Sequence, residues 1–144
     1  MYTLFIIAIQ DTFSSNLKLI QKCSSMTSAS QTITFDENHP LFLHHGENPR
    51  AILVSQPLVS EIYPGWAKSM QIALSAKNKL GFIDGTPTLT LTMAKSPMLV
   101  QAWTRCNNMV VSWILNSVSP KILASVVYRD TTLEVWEDVK ERFS

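Results

Sequence analysis

The stretch E-I-Y-P-G-W-A-K-S-M-Q-I-A-L-S-A-K-N-K-L-G-F-I-D-G, Glu61–Gly85, decides the fold class. Ile62, Trp66, Met70, Ala73, Leu74 and Leu80 recur at spacings that place them on one face of a helix. Lys68, Gln71, Ser75 and Asn78 fall on the opposite side. Pro64 suits the first turn, where its missing N–H has no intrahelical partner. Gly81 is predicted to take the left-handed conformation that closes the helix, with Phe82 and Ile83 behind the stop and Asp84-Gly85 as a turn. Lys77 and Lys79 then lie in the last turn, where positive charge favours the helix macrodipole. The stretch holds no nucleophile–base pair, ligand cluster or phosphate loop, so its predicted role is packing.

Two more helices are legible downstream. Over Leu99–Val118, Trp103, Cys106, Val110, Trp113, Ile114, Ser117 and Val118 trace one stripe, with Arg105, Asn108 and Asn116 mostly off it. Ser119-Pro120 pairs an N-cap with a first-turn proline and opens a short helix through Ile122, Ala124, Val126 and Val127. Thr131 and Glu134 have the spacing of a capping box, and Leu133, Trp136, Val139, Lys140 and Phe143 continue the periodicity behind them. Between the helices, Thr86–Pro97 alternates Leu89, Leu91 and Met93 with threonines, and its flanking prolines predict a loop or an isolated edge strand.

Upstream, Ala51–Ser55 and Leu58–Ser60 are short and apolar, which predicts a hairpin or an extended segment leaning on the helices, since a lone hairpin is marginal. The Ser/Thr-rich run Cys23–Thr34 has little to bury. The expected architecture is therefore mainly α. A small helical bundle carries a short N-terminal β-hairpin or extended segment, preceded by a disordered leader. The leader is assigned to residues 1–38, and the helical domain to 39–144, whose periodicity still runs at Ser144 as in a domain truncated at its C-terminus.

Composition bounds the function. The 144 residues suit one domain, with 46% apolar and 16% charged residues and a net charge of +1. Lysine and arginine are dispersed, unlike a nucleic-acid or anionic-membrane footprint. The apolar run Leu4–Ile9 has no preceding Lys or Arg and is followed by Asp11, which argues against a signal peptide. It is also far shorter than the ~20 residues needed to span a membrane. The first ten residues of the chain read as part of a non-native extension, with Met26 as the effective start.

Cys23 and Cys106 lack the spacing of a zinc or redox motif, and a buried free thiol is the expectation for Cys106. His39, His44 and His45 invite a metal reading, but adjacent histidines face apart and no carboxylate or cysteine completes a set. The expectation is a polar loop, no metal and no cofactor. The same reasoning excludes catalysis, because no ordered acid or oxyanion loop accompanies His44, His45 or Cys106.

At this point the wording of the chain adds to its periodicity. P-L-F-L-H-H-G-E-N-P (Pro40–Pro49) resembles the N-terminal signature of Gag polyproteins from plant copia-type LTR retrotransposons. So do L-V-S-Q-P-L (Leu53–Leu58), W-A-K-S-M-Q-I-A-L-S-A-K-N-K-L-G-F-I-D-G (Trp66–Gly85) and W-T-R-C-N-N-M-V-V-S-W-I-L-N-S-V (Trp103–Val118). The block A-S-V-V-Y-R-D-T-T-L-E-V-W-E-D-V-K-E-R-F-S (Ala124–Ser144) follows in the family's order. Arg50 and Ile62 depart from the small residue and the asparagine usual at those places, Thr86–Met98 is unlike the family's connection, and residues 1–25 have no counterpart.

The resemblance implies a non-enzymatic, capsid-type domain that self-associates as a homo-oligomer, here a fragment or degenerate copy. It implies a cytoplasmic setting and, since no zinc knuckle is present, weak or no direct nucleic-acid binding; Lys68, Lys77 and Lys79 are read as a solvated face. The alternative is a retained Gag relic that binds a host partner. The anchors expected for its core or interface are Trp66, Met70, Leu74, Phe82, Trp103, Val110, Trp113, Trp136 and Phe143.

Overall fold

A computed structural model of the chain describes residues 33–86 and 91–144; the predicted leader up to residue 32, with Cys23, and residues 87–90 lie outside them. The compact unit Phe35–Ser144 is mainly helical, as the periodicity predicts. Its helices are α1 (Tyr63–Ala76), α2 (Gly81–Asp84), α3 (Leu91–Ala94), α4 (Pro97–Leu115), α5 (Pro120–Val126) and α6 (Thr132–Phe143).

α1 buries Trp66, Met70 and Leu74 of the face read from its spacing, together with Tyr63 and Ala67, while Ile62, Ala73 and Leu80 are half-buried. It ends earlier than Gly81. Asn78 takes the left-handed conformation (φ 55°), and Lys79 N–H donates to Leu74 O at 2.8 Å, the closing bond of a Schellman motif. A non-glycine residue is tolerated there because Asn is the other common occupant, and its side chain finds the Asn38 carbonyl at 2.8 Å. Gly81 instead opens α2, which is closed by Gly85 at φ 81°. The glycine prediction placed the right device at the wrong turn.

α4 is the central element, burying Cys106, Asn107, Val110, Trp113 and Ile114. α1 and α6 meet where Trp66 and Trp136 stack, their ring centroids 5.7 Å apart at 23°. The Trp66 indole N–H donates to Ser117 O at 2.7 Å, so the ring's polar edge is satisfied inside the core. Burial of each such large apolar side chain contributes ~1.5–3 kcal/mol, and these contacts hold the helices together.

The capping box of α6 forms. Glu134 N–H donates to Thr131 Oγ1 at 3.2 Å, and the Glu134 carboxylate accepts from Thr131 N–H at 3.4 Å. The buried face behind it is rotated from the predicted one: Thr132, Val135, Trp136 and Val139 face inward, while Leu133 and Lys140 are exposed and Phe143 is half-buried. Asn107 causes the rotation. Its Oδ1 accepts from Thr132 N–H (2.9 Å) and Thr132 Oγ1 (3.0 Å), and its Nδ2 donates to Asp130 O (3.0 Å).

Of the hairpin and the extended segment, the latter forms. Residues 51–55 run through bends, and Leu58 makes an isolated parallel bridge to Val118, with Leu58 N–H donating to Ser117 O (2.9 Å) and Ser119 N–H to Leu58 O (3.0 Å). Leu91–Ala94 is a helical turn rather than an edge strand, and Ser96 N–H donates back to Met93 O at 2.9 Å just ahead of Pro97.

Candidate functional site

The feature that the helices assemble is a docking frame for the segment Phe35–Pro57, hereafter the strap. The strap's own backbone donors close local turns: His39 to Asp36 O, Phe42 to His39 O, Glu47 to His44 O and Ala51 to Asn48 O, all at 2.8–3.1 Å. Its carbonyls face the frame. Asn78 Nδ2 donates to Asn38 O (2.8 Å), Cys106 Sγ to Leu41 O (3.2 Å) and Lys79 Nζ to Phe42 O (2.7 Å). Further along, Trp113 Nε1 donates to Asn48 O (2.8 Å) and Asn116 Nδ2 to Pro49 O (2.8 Å). Side chains from the end of α1 and from α4 thus read the main chain of the strap.

Two contacts read its side chains. Leu41 is buried in the core, and Phe35, Leu43, Ala51, Leu53 and Val54 pack partly against it. Glu47 pairs with Lys77 at 2.8 Å, and the same ammonium sits 4.9 Å from the Trp113 ring centroid. Lys77, Glu47, Asn48 and Trp113 therefore close a ring of contacts across the boundary.

The electrostatics are those of a buried joint. Lys79 is only 3% exposed, and burial pushes its pKa below the ordinary lysine value, with Cys106 and Glu47 acting in the other direction. Burial likewise pushes the Cys106 thiol up, which keeps it protonated and able to donate to Leu41 O. A raised thiol pKa disfavours the thiolate that nucleophilic or metal chemistry needs. Tyr63 is raised too, first by burial and then by the nearby Glu137 charge.

The histidines shape the strap. His39 Nδ1 accepts from Leu41 N–H at 3.1 Å and its ring stacks on Phe35, while His44 meets Phe42 edge-on. Among the described residues no group of three or more His, Cys, Asp or Glu side chains is placed to hold a metal ion. No helix among them is long and apolar enough to cross a membrane.

Of the anchors expected from sequence, Trp66, Met70, Leu74, Phe82, Val110, Trp113 and Trp136 are buried, whereas Trp103 and Phe143 are half-buried at the core's margin. Phe82 lies 6.2 Å from Trp103, centroid to centroid. Lys79, read as part of a solvated face, is instead inside; Lys77 is paired and Lys68 is exposed. From spacing alone Asn107 has no assigned place, Ser117 falls on the stripe and Asn116 off it, and none of them is assigned a hydrogen bond, although each is a polar residue on or beside the apolar stripe of α4. That is the one signal that could have marked them as donors or acceptors with buried partners.

Residues 44–88 match the family model described as Gag-polypeptide of LTR copia-type. Over these residues the chain is similar to copia-type Gag. The match starts in the strap at His44 and runs through α1 and α2, so it takes in Glu47, Asn48, Lys77 and Lys79 of the joint. No curated protein and no solved structure matches the chain. The Gag region supports a Gag-like, non-enzymatic role.

Proposed function

We propose that this chain acts as a capsid-type Gag domain whose copies self-associate, working in the cytoplasm without a cofactor. The observation that carries the reading is the copia-type Gag match over residues 44–88. In this reading the large aromatics mainly serve packing within each subunit, and contacts between subunits fall to exposed apolar residues. Ile72 is 60% exposed on the rim of an open groove between α1, α2 and α6, whose lining alternates Lys68 and Lys140 with Asp84 and Glu137. A lining that mixes apolar residues with charges of both signs suits a protein partner better than a nucleic acid. Binding to RNA by these residues is correspondingly weak.

A concentration series followed by light scattering tests the reading. Mass above that of one chain, rising with concentration and falling for Ile72→Asp, is the expected result. A strict monomer through the millimolar range rejects it. Recovery of one stoichiometric host partner by such a monomer would favour a relic that works as an interaction module.

A further inference from the structure

We infer that the strap is exchangeable between copies, so that the strap of one chain docks on the frame of another. The inference rests on the self-association reading and adds a second contact between copies to the groove at Ile72. Three observations carry it. First, the strap is locally folded: the backbone N–H groups of His39, Leu41, Phe42, Glu47, Arg50 and Ala51 bond within it, while Val54 N–H reaches the frame, at Ser117 Oγ (3.4 Å). Second, its attachment combines side-chain donors from the frame reaching strap carbonyls with the buried Leu41 and the half-buried apolar residues beside it. A second copy presents the same carbonyls and the same leucine, so every contact can be remade between chains without a new interface. Third, Ser55, Gln56 and Pro57 are exposed and stand between the strap and Leu58, which the bridge to Val118 fixes in the core.

A short exposed link between a locally folded segment and a fixed point is the geometry that permits exchange at small cost. The link can extend while Leu58 stays in place, and the strap of the second copy covers again the surface that Leu41 and its half-buried apolar neighbours leave. Opening of this kind is a local unfolding step short of global unfolding. Two copies that exchange straps form a closed pair; exchange that does not close propagates from copy to copy.

The ion pair across the joint supplies a test by charge complementation. Glu47→Lys sets two positive charges against each other within one chain, and Lys77→Glu sets two negative ones. When the two variants are mixed and straps exchange, both joints of the mixed pair regain opposite charges. The full chains, one of them isotope-labelled, are mixed after brief mild denaturation and analysed by native mass spectrometry. Mixed pairs about tenfold more abundant than same-chain pairs are expected, as two relieved charge contacts would give. The Glu47→Lys/Lys77→Glu double variant, which restores the pair within the chain, should mix with no such excess, and circular dichroism checks that all variants keep their helices. If wild-type chains self-associate but the single variants show only statistical mixing, exchange is overturned while the self-association reading stands. If neither wild-type chains nor the mixture associate, both fail together.

Discussion

Replacing Asn107 with alanine tests the main polar contact between α4 and α6. Asn107 is 3% exposed and Thr132 1%, so water cannot replace what is lost at Thr132. The substitution removes three hydrogen bonds: those that Oδ1 accepts from Thr132 N–H and Oγ1, and the one that Nδ2 donates to Asp130 O. Thr132 Oγ1 keeps a partner in Asn107 O at 3.3 Å, and Asp130 is exposed, so its carbonyl can turn to water. The Thr132 N–H is left buried and unpaired, at a cost of roughly 1–3 kcal/mol, and the other bonds add ~1 kcal/mol. Alanine returns about 0.5 kcal/mol through its better helix propensity. The net loss is then ~1.5–3.5 kcal/mol. With a urea slope of ~1.5 kcal/mol/M, the midpoint should fall by about 1–2.3 M. Unfolding is followed by circular dichroism at low protein concentration, so that association does not add to stability. A midpoint within ~0.3 M of wild type would refute the claim that Asn107 sets the rotation of α6. So would an additive Asn107→Ala/Thr132→Val double variant, because residues that share these bonds must couple.

Lys79→Met should change the pH dependence of stability. Because the folded-state pKa of Lys79 is lowered, the unfolded chain binds more protons between that pKa and 10.5, and wild-type stability gains from this group as pH rises through the window. Cys106 and Tyr63 are raised from 9.0 and 10.0 and act oppositely above those values, so the wild-type-minus-variant difference is the quantity to measure. That difference should slope upward towards alkaline pH; a flat one would show that the Lys79 ammonium is not desolvated. Thr131→Ala removes the capping-box acceptor for Glu134 N–H and should cost ~1 kcal/mol in urea unfolding; a loss below ~0.3 kcal/mol would mean that the cap contributes little.

What the sequence revealed was what is local. Thr131 and Glu134 predict their box because the partners are three residues apart, and the face of α1 follows from spacing alone. What it hid depends on partners distant in the sequence. Helix α1 stops at Ala76 because Asn78 reaches Asn38 across the fold, a contact that no window around Gly81 contains. The rotation of α6 was hidden for the same reason, since Leu133 and Val135 fit a helical stripe equally well until Asn107 chooses Thr132. Lys79 resembles any lysine of a last turn, and only the Phe42 carbonyl explains its burial. The extended segment was visible as apolar and breaker-rich, but its carbonyl contacts carry no residue signature at all.

That last property has a consequence for how the segment can change over time. A frame that grips carbonyl oxygens is indifferent to most of the side chains it holds: Pro49 lacks an N–H yet still offers its oxygen to Asn116, and the exposed side chains of His45 and Arg50 leave the grip untouched. Substitutions can therefore accumulate at the exposed positions of the strap while its path over the helices stays the same, provided that Leu41, the half-buried apolar residues beside it and the Glu47 charge remain. The sites intolerant of drift lie on the other partner, at Asn78, Lys79, Trp113 and Asn116, where a single exchange removes a donor.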